Sequence, residues 1–168
     1  WRRQAPFVAM QIIFSGDRKM ITLREFREED MPDMAILFYD TVHSVNAVDY
    51  YKEQLDAWAP DRRTFFAKID DIKKQYALVA EEGGVMAGFG SITADGELDL
   101  LYVSKDFQRR GVATALCDRL EKGHKNIVTY ASVTAKGFFE KRGYIVLKRR
   151  MVQRRGVKLA NYKMLKSL

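Results

Sequence analysis

Cysteine is nearly absent: Cys117 is the only one in 168 residues, so no internal disulfide framework can form. The two histidines, His43 and His124, lie far apart and make no spaced set of zinc ligands with that thiol, so no metal is expected. No apolar run approaches the roughly 18 residues a helical membrane span needs, and no membrane partner is expected. Internal repeats and low-complexity linkers are also missing. With 47% hydrophobic and 30% charged residues the chain is not of the disordered class. Its length suits one domain with a real core. The lack of disulfides fits a reducing compartment, which points to a cytoplasmic location.

Acid is missing from one end. Residues 141–168 carry ten basic groups and no carboxylate, against a net charge of −6 over 20–140, +3 over 1–19 and +7 in all. A nucleic-acid binder would present such a block. No aromatic-basic interleaving of a nucleic-acid module accompanies it, so nucleic acid is not the favoured partner. Lys148, Arg149, Arg150, Arg154 and Arg155 are instead expected to decorate solvent-facing strand positions. Residues 1–19 have a basic start and a short apolar stretch but no small-residue cleavage site. They are read as a cloning scar or an upstream extension, not a signal peptide, ahead of a single domain over 20–168.

A strand is expected from Ile21. Asp30 and Pro32 suit a helix start, a capping acid and then a proline where its missing N–H costs nothing. Met34, Leu37, Phe38, Thr41 and Val42 continue at helical spacing to about Val45. Asp49 could cap a second helix, stopped by Pro60, and Asp61 a third. Three antiparallel strands are predicted over 76–80, 85–93 and 97–103, turning at Gly83-Gly84 and Asp95-Gly96. A helix over 111–121, a strand over 127–133, a short helix over 135–141 and a last hairpin around Arg155-Gly156 follow. This order gives an α/β (α+β) domain on a mixed sheet.

The informative stretch is Leu101-Tyr102-Val103 followed by Gln108-Arg109-Arg110-Gly111-Val112-Ala113-Thr114. A strand runs into a basic, glycine-containing loop that opens a helix. The first N–H groups of a helix lack internal partners and sit at the positive end of its dipole, which makes an anion site. The loop lacks the lysine and multiple glycines of a nucleoside-triphosphate loop. The residues alone indicate phosphate or diphosphate held after a strand, or an ordinary turn with exposed arginines.

Gln108-Arg109-Arg110-Gly111-Val112-Ala113 resembles the Gln/Arg-x-x-Gly-x-Gly/Ala pyrophosphate loop of the GCN5-related N-acetyltransferase (GNAT) superfamily. Ala135-Lys136-Gly137-Phe138-Phe139-Glu140-Lys141-Arg142-Gly143-Tyr144 resembles its second motif, A-x-x-F-Y-E-K-x-G-F. The 131–136 segment, Phe138-Phe139-Glu140 and Arg155-Gly156-Val157 look like the YafP-type subgroup. The resemblance implies a mostly antiparallel central sheet flanked by helices, with the fourth and fifth strands splayed apart around acetyl-CoA. It implies that Leu101, Tyr102 and Val103 meet the pantetheine arm and that the 109–114 amides hold the pyrophosphate. Ser132 stands where many relatives have asparagine, and Phe138 is placed near the thioester.

The reaction so implied is acetyl transfer from acetyl-CoA to a primary amine of a small molecule or peptide, by direct attack. The amine must lose a proton and the thiolate can take one. Strand alternation is expected to put Glu97, Asp99, Leu101 and Val103 on one face. Glu97 lies eleven residues before Gln108, where some relatives carry a glutamate base, and Asp99 competes with it. Either is the base, or Glu97 is a solvated strand end. Phe139 departs from the tyrosine that serves relatives as general acid, so Tyr144, Tyr130, Tyr102 or water takes that role, or none does. Cys117 reads as a small buried hydrophobe. Tyr39, His43, Ser44 and Asn46 are expected on the acceptor side, with Tyr50, Tyr51 and Trp58 there or in the core. A non-catalytic acyl-CoA sensor is the alternative that Phe139 raises, a nucleic-acid binder the alternative raised by the basic tail. Homodimers are common among such enzymes.

Overall fold

Gly88 and Gly90 of one strand carry no side chain, and a helix lies where side chains would be. A Cβ on Gly88 would stand 2.8 Å from the Tyr102 carbonyl oxygen and 3.1 Å from Val112 Cγ1; one on Gly90 would stand 2.9 Å from Leu120 Cδ1. The computed structural model describes residues 11–12 and 20–168, so most of the 1–19 leader lies outside the described residues. Its elements are β1 (Gln11–Ile12), β2 (Ile21–Glu25), α1 (Met31–Ser44), α2 (Lys52–Trp58), α3 (Ile69–Lys73), β3 (Tyr76–Glu82), β4 (Val85–Ile92), β5 (Glu97–Val103), α4 (Val112–Leu120), β6 (Asn126–Ser132), α5 (Lys136–Lys141), β7 (Ile145–Arg154) and β8 (Val157–Ser167). The sheet order is β1-β2-β3-β4-β5-β6-β8-β7. Among the described residues only β5 and β6 run parallel; every other neighbour pair is antiparallel.

Helices cover both faces. On one, α4 and α5 bury Val112, Ala115, Leu116, Cys117, Leu120 and Phe139 against Leu78, Leu98, Ile127 and Met164. On the other, α1 buries Met34, Phe38 and Val42 with Phe65, Phe89 and Leu100. A nine-residue helix such as α4 is unstable alone. Each fully buried leucine contributes about 1.5–3 kcal/mol, so the contact with the sheet is what makes α4 a helix.

Asp30 does not cap α1 as its position suggested. Its carboxylate accepts from the Arg27 backbone N–H at 2.7 Å and from Arg24 at 2.6 and 2.8 Å, tying β2 to the turn before the helix. Pro32 occupies the first turn as expected. No helix among the described residues is long and apolar enough to cross a membrane.

A second charge cluster lies beneath α4. Glu121, 5% exposed, accepts from Arg142 at 2.7 Å, Lys166 at 3.0 Å and the Tyr144 hydroxyl at 2.8 Å. Burial alone would raise its pKa; the hydrogen bonds from Arg142, Lys166 and Tyr144 outweigh that and hold it below the ordinary carboxylate value near 4.5. Removing the carboxylate takes away the Lys166 partner and leaves Arg142 with the exposed Asp118, at 2.9 Å. Glu121→Ala is expected to cost about 3–5 kcal/mol in denaturant unfolding. Because the folded pKa is depressed, the stabilisation is complete above about pH 4.5 and fades as pH falls through the folded value. The stability gap between wild type and Glu121→Gln should therefore shrink on acidification below pH 4.5.

Candidate active site

β5 and β6 pair only at Glu97↔Val128 and Leu98↔Thr129. At this root Val128 donates to the Gly96 carbonyl at 2.9 Å and Thr129 Oγ1 to the Leu98 carbonyl at 2.9 Å. Past these residues the strands separate. A register shift accompanies the parting: Ile92 pairs with Leu98 but Ser91 with Leu100, so Asp99 is an extra residue on β5. A bulge of this kind bends its strand and re-aims its side chains.

The bulge corrects the expected alternation. Leu101 and Val103 pack into the α4 side of the sheet, whereas Leu100 and Tyr102 pack on the α1 side. Glu97 and Asp99 line a cleft with Leu100 and Tyr102, so the two carboxylates do not share a face with Leu101 and Val103.

The peptide edge of β5 matters as much as its side chains. Ser104 donates to the Ala87 carbonyl at 2.8 Å across the β4 ladder. By antiparallel alternation Leu100 and Tyr102 bond β4, and the peptide groups of Leu101 and Val103 turn toward the gap. The Val103 carbonyl already accepts from Gln108 Nε2 at 2.7 Å and Thr41 Oγ1 at 3.3 Å. The Val103 N–H and both Leu101 groups remain along the opening.

The loop then delivers α4. Arg109 (φ 57°) and Gly111 (φ 79°) are left-handed, a conformation glycine adopts without penalty. Gly111 is the N-cap, and no side chain caps the helix amides behind it. Close approach of Val112 to Gly88 sets this helix mouth beside the end of β5. Arg110 pairs with Glu82 and lies 5.0 Å from the centre of the Phe107 ring, which turns it toward β3. Arg109 is exposed.

The cleft, about 680 Å³, opens between β5, the end of β6, the β7–β8 hairpin and the segments around Trp58 and Phe65. Ser132 lines it, with Oγ accepting from the Ala135 N–H at 3.0 Å. Tyr50 stands at the far wall, donating to the Ala160 carbonyl at 2.7 Å and accepting from the Val133 N–H at 2.9 Å. Burial pushes the Tyr102 hydroxyl up and keeps it protonated. Asp99 is exposed and accepts from Gln75 Nε2 at 2.9 Å. Glu97 is half-buried, and among the described residues its carboxylate has no side-chain partner.

Other candidates fall elsewhere. Tyr144 is 2% exposed and committed to Glu121 on the α4 side, away from the cleft, so it cannot deliver a proton there. Phe139, at 3% exposed, packs between Phe138 and Tyr144 and belongs to the same core. His43 stacks on Tyr39, and its Nε2 lies 2.7 Å from the Ala59 carbonyl. Ser44 Oγ bonds back to the Asp40 carbonyl, and Asn46 is buried beyond the helix end. Tyr39 lines a separate shallow depression with Arg62 and Arg63. None of these four lines the cleft: Tyr39 and His43 face Arg62 and the end of α2, Ser44 bonds back to its own helix, and Asn46 lies past it. Cys117 is fully buried with its thiol pushed up to about 12 by burial.

Sequence reasoning missed the opposite wall. Lys68, Arg150, Arg154, Arg155 and Asn161 line the cleft, so three of the five tail cations assigned to solvent stand along it. The signal was available: Arg150, Val152 and Arg154 recur at strand period and share one face.

Comparison with known proteins agrees with this geometry. An acetyltransferase (GNAT) domain model matches residues 44–166. The chain is 31% identical over 145 residues to the uncharacterized N-acetyltransferase YafP of Escherichia coli, covering 86% of this chain and 94% of that one. The crystal structure of a GCN5-related N-acetyltransferase from Rhodopseudomonas palustris superposes with a TM-score of 0.80 at 38% identity, covering 87% and 94%. The PaiA N-acetyltransferase of Thermoplasma acidophilum, solved with coenzyme A, shares the fold at 18% identity and TM-score 0.70, covering 88% and 99%. Counting from β2, the parted strands β5 and β6 are the fourth and fifth strands of that fold. The chain belongs to the GNAT family of acetyltransferases.

Proposed function

We propose that this acetyltransferase moves the acetyl group of acetyl-CoA to a primary amine by direct attack within the β5–β6 cleft. The observation that carries the reading is the uncapped mouth of α4 beside the open peptide edge of Leu101 and Val103. Amides 111–114 suit a pyrophosphate, with Arg109 adding charge from the loop. The Leu101 peptide and the Val103 N–H suit an extended amide-bearing arm laid along the strand edge. The coenzyme held by the Thermoplasma fold neighbour supports this assignment.

Acetyl-CoA would supply the thioester: its acetyl carbonyl carbon bonds to the amine nitrogen as the carbon–sulfur bond breaks, releasing coenzyme A. The nitrogen sheds a proton and the thiolate leaves. Glu97 is the base this cleft supports best: it is half-buried at the root of the opening and, among the described residues, its carboxylate has no side-chain partner, whereas Asp99 already accepts from Gln75. Tyr130 lines the same cleft and carries a hydroxyl that can return a proton to sulfur; burial holds Tyr102 protonated, which makes it the weaker acid and suits it to donate a hydrogen bond. A cleft with no turnover would leave a coenzyme-binding sensor, the reading that Phe139 favours.

Isothermal titration with acetyl-CoA should show one saturable site. Ala113→Glu puts bulk and negative charge at the helix mouth and should weaken binding at least about tenfold with unchanged melting temperature. Absence of binding to the wild-type chain would overturn the coenzyme assignment. In a broad amine screen following free thiol, Glu97→Gln should lower kcat by about 10²–10⁴-fold and leave acetyl-CoA affinity intact. A silent Glu97→Gln with an impaired Asp99→Asn would transfer the base to Asp99.

A further inference from the structure

The cleft has walls of opposite sign. Glu97 and Asp99 stand on β5, Arg150, Arg154 and Arg155 on the β7–β8 hairpin, and Lys68 on the segment before α3. Four cations face two carboxylates. Among the described residues, Lys68, Arg150 and Arg154 have no carboxylate within ion-pair distance. Arg155 donates to the Ala57 carbonyl at 2.7 Å, which pins the hairpin tip to the end of α2.

Strand register locates the cationic wall. Ser132 pairs with Asn161, and Asn161 with Arg150, so the three form one row from the lip of the cleft outward. Two strand spacings put the Arg150 backbone about 10 Å from β6. Arg150 is half-buried, and its guanidinium lies 4.5 Å from the centre of the Tyr130 ring, which fixes it along the cleft floor. Arg154 follows on the same face of β7 and lines the same cleft as Asp99 and Tyr102.

Arg150 is half-buried and Lys68, Arg154 and Arg155 are exposed; cations without a carboxylate partner gathered along one cleft repel each other, and an anion entering among them relieves that repulsion. Arginine is also the residue whose planar fork matches carboxylate and phosphate. We infer that the acceptor amine carries an anionic group, a carboxylate or a phosphate, held by Arg150 and Arg154 while its nitrogen meets Glu97 and Asp99. This rests on the transfer reading above for the role of the cleft, but the charge preference is measurable without turnover. A lysine-rich peptide presents the wrong charge to this wall. A small amine with an acid at its other end fits a cleft of about 680 Å³.

Isothermal titration of the protein saturated with coenzyme A tests the inference. The probes are β-alanine against β-alaninamide and O-phosphoethanolamine against ethanolamine; the first pair reads carboxylate, the second phosphate. At least one anionic member should bind tenfold or more tightly than its neutral counterpart. That ratio should fall toward one in Arg150→Gln and Arg154→Gln. Arg149→Gln, on the other face of β7, should keep the wild-type ratio, and retained coenzyme affinity in every variant shows that the fold is intact. Equal binding within both pairs, no binding of either anionic probe, or a ratio insensitive to Arg150 and Arg154 overturns the inference. Loss of coenzyme binding by the wild-type chain overturns the transfer reading instead.

Discussion

After Leu98 the sheet stops being a sheet, and everything functional follows from that interruption. A continuous β5–β6 ladder would satisfy every peptide group and leave no cleft. The extra residue at Asp99 turns β5 away after two pairs. Other side chains then hold the gap at its rim. Tyr50 takes the Val133 N–H and anchors on the Ala160 carbonyl, which draws the end of β6 toward β8. Gln108 and Thr41 occupy the Val103 carbonyl on the other lip. Leaving a buried peptide group unsatisfied costs about 1–3 kcal/mol, so a fold tolerates few of them. Those left open here, at Leu101 and Val103, stand beside the α4 mouth.

Charge is sorted as carefully as hydrogen bonding. Away from the cleft the half-buried and buried carboxylates are matched: Asp30 and Glu81 with Arg24, Glu82 with Arg110, Glu121 with Arg142 and Lys166. The basic tail therefore does not act as one block. Arg142 and Lys166 neutralise Glu121 beneath α4, Arg150, Arg154 and Arg155 line the cleft, and Lys148 and Arg149 face solvent. A chain using its tail to grip a polyanion would gather these charges on one exposed stripe. Their dispersal over two faces and a cleft argues against that use.

What could be read from sequence was what is local. The loop 108–113 declares itself because a strand end, a glycine and a helix start are contiguous in the chain. The three hairpin strands and the helices α1 and α4 show their period directly. The bulge is hidden, since an inserted residue leaves no mark until its partner strand is known; simple alternation therefore puts Glu97 and Asp99 on the face of Leu101. The acceptor side was hidden for a similar reason. Tyr39, His43 and Ser44 are polar near a helix end, which suits a binding site, but His43 turns to the end of α2 and Ser44 bonds its own helix. Arg150 reaches the cleft only because β8 inserts between β6 and β7, a topological fact that no local window carries.

The unequal treatment of the two protons of the transfer reading follows from magnitudes. An alkyl ammonium with a pKa near 10.4 costs about 4.6 kcal/mol to deprotonate at pH 7. A thiolate whose conjugate acid sits near 8.5 gains only about 2 kcal/mol from protonation at that pH. Catalysis therefore depends more on a carboxylate at the amine than on an acid at the sulfur. The cleft matches that order, with two carboxylates on β5 and a phenylalanine at position 139. Phe139 instead packs beside Tyr144, whose hydroxyl is committed to the buried Glu121 cluster. A tyrosine at 139 would need a partner of its own for its hydroxyl in that core. The core beneath α4 thus favours phenylalanine for packing, and the weak demand for an acid lets that preference stand.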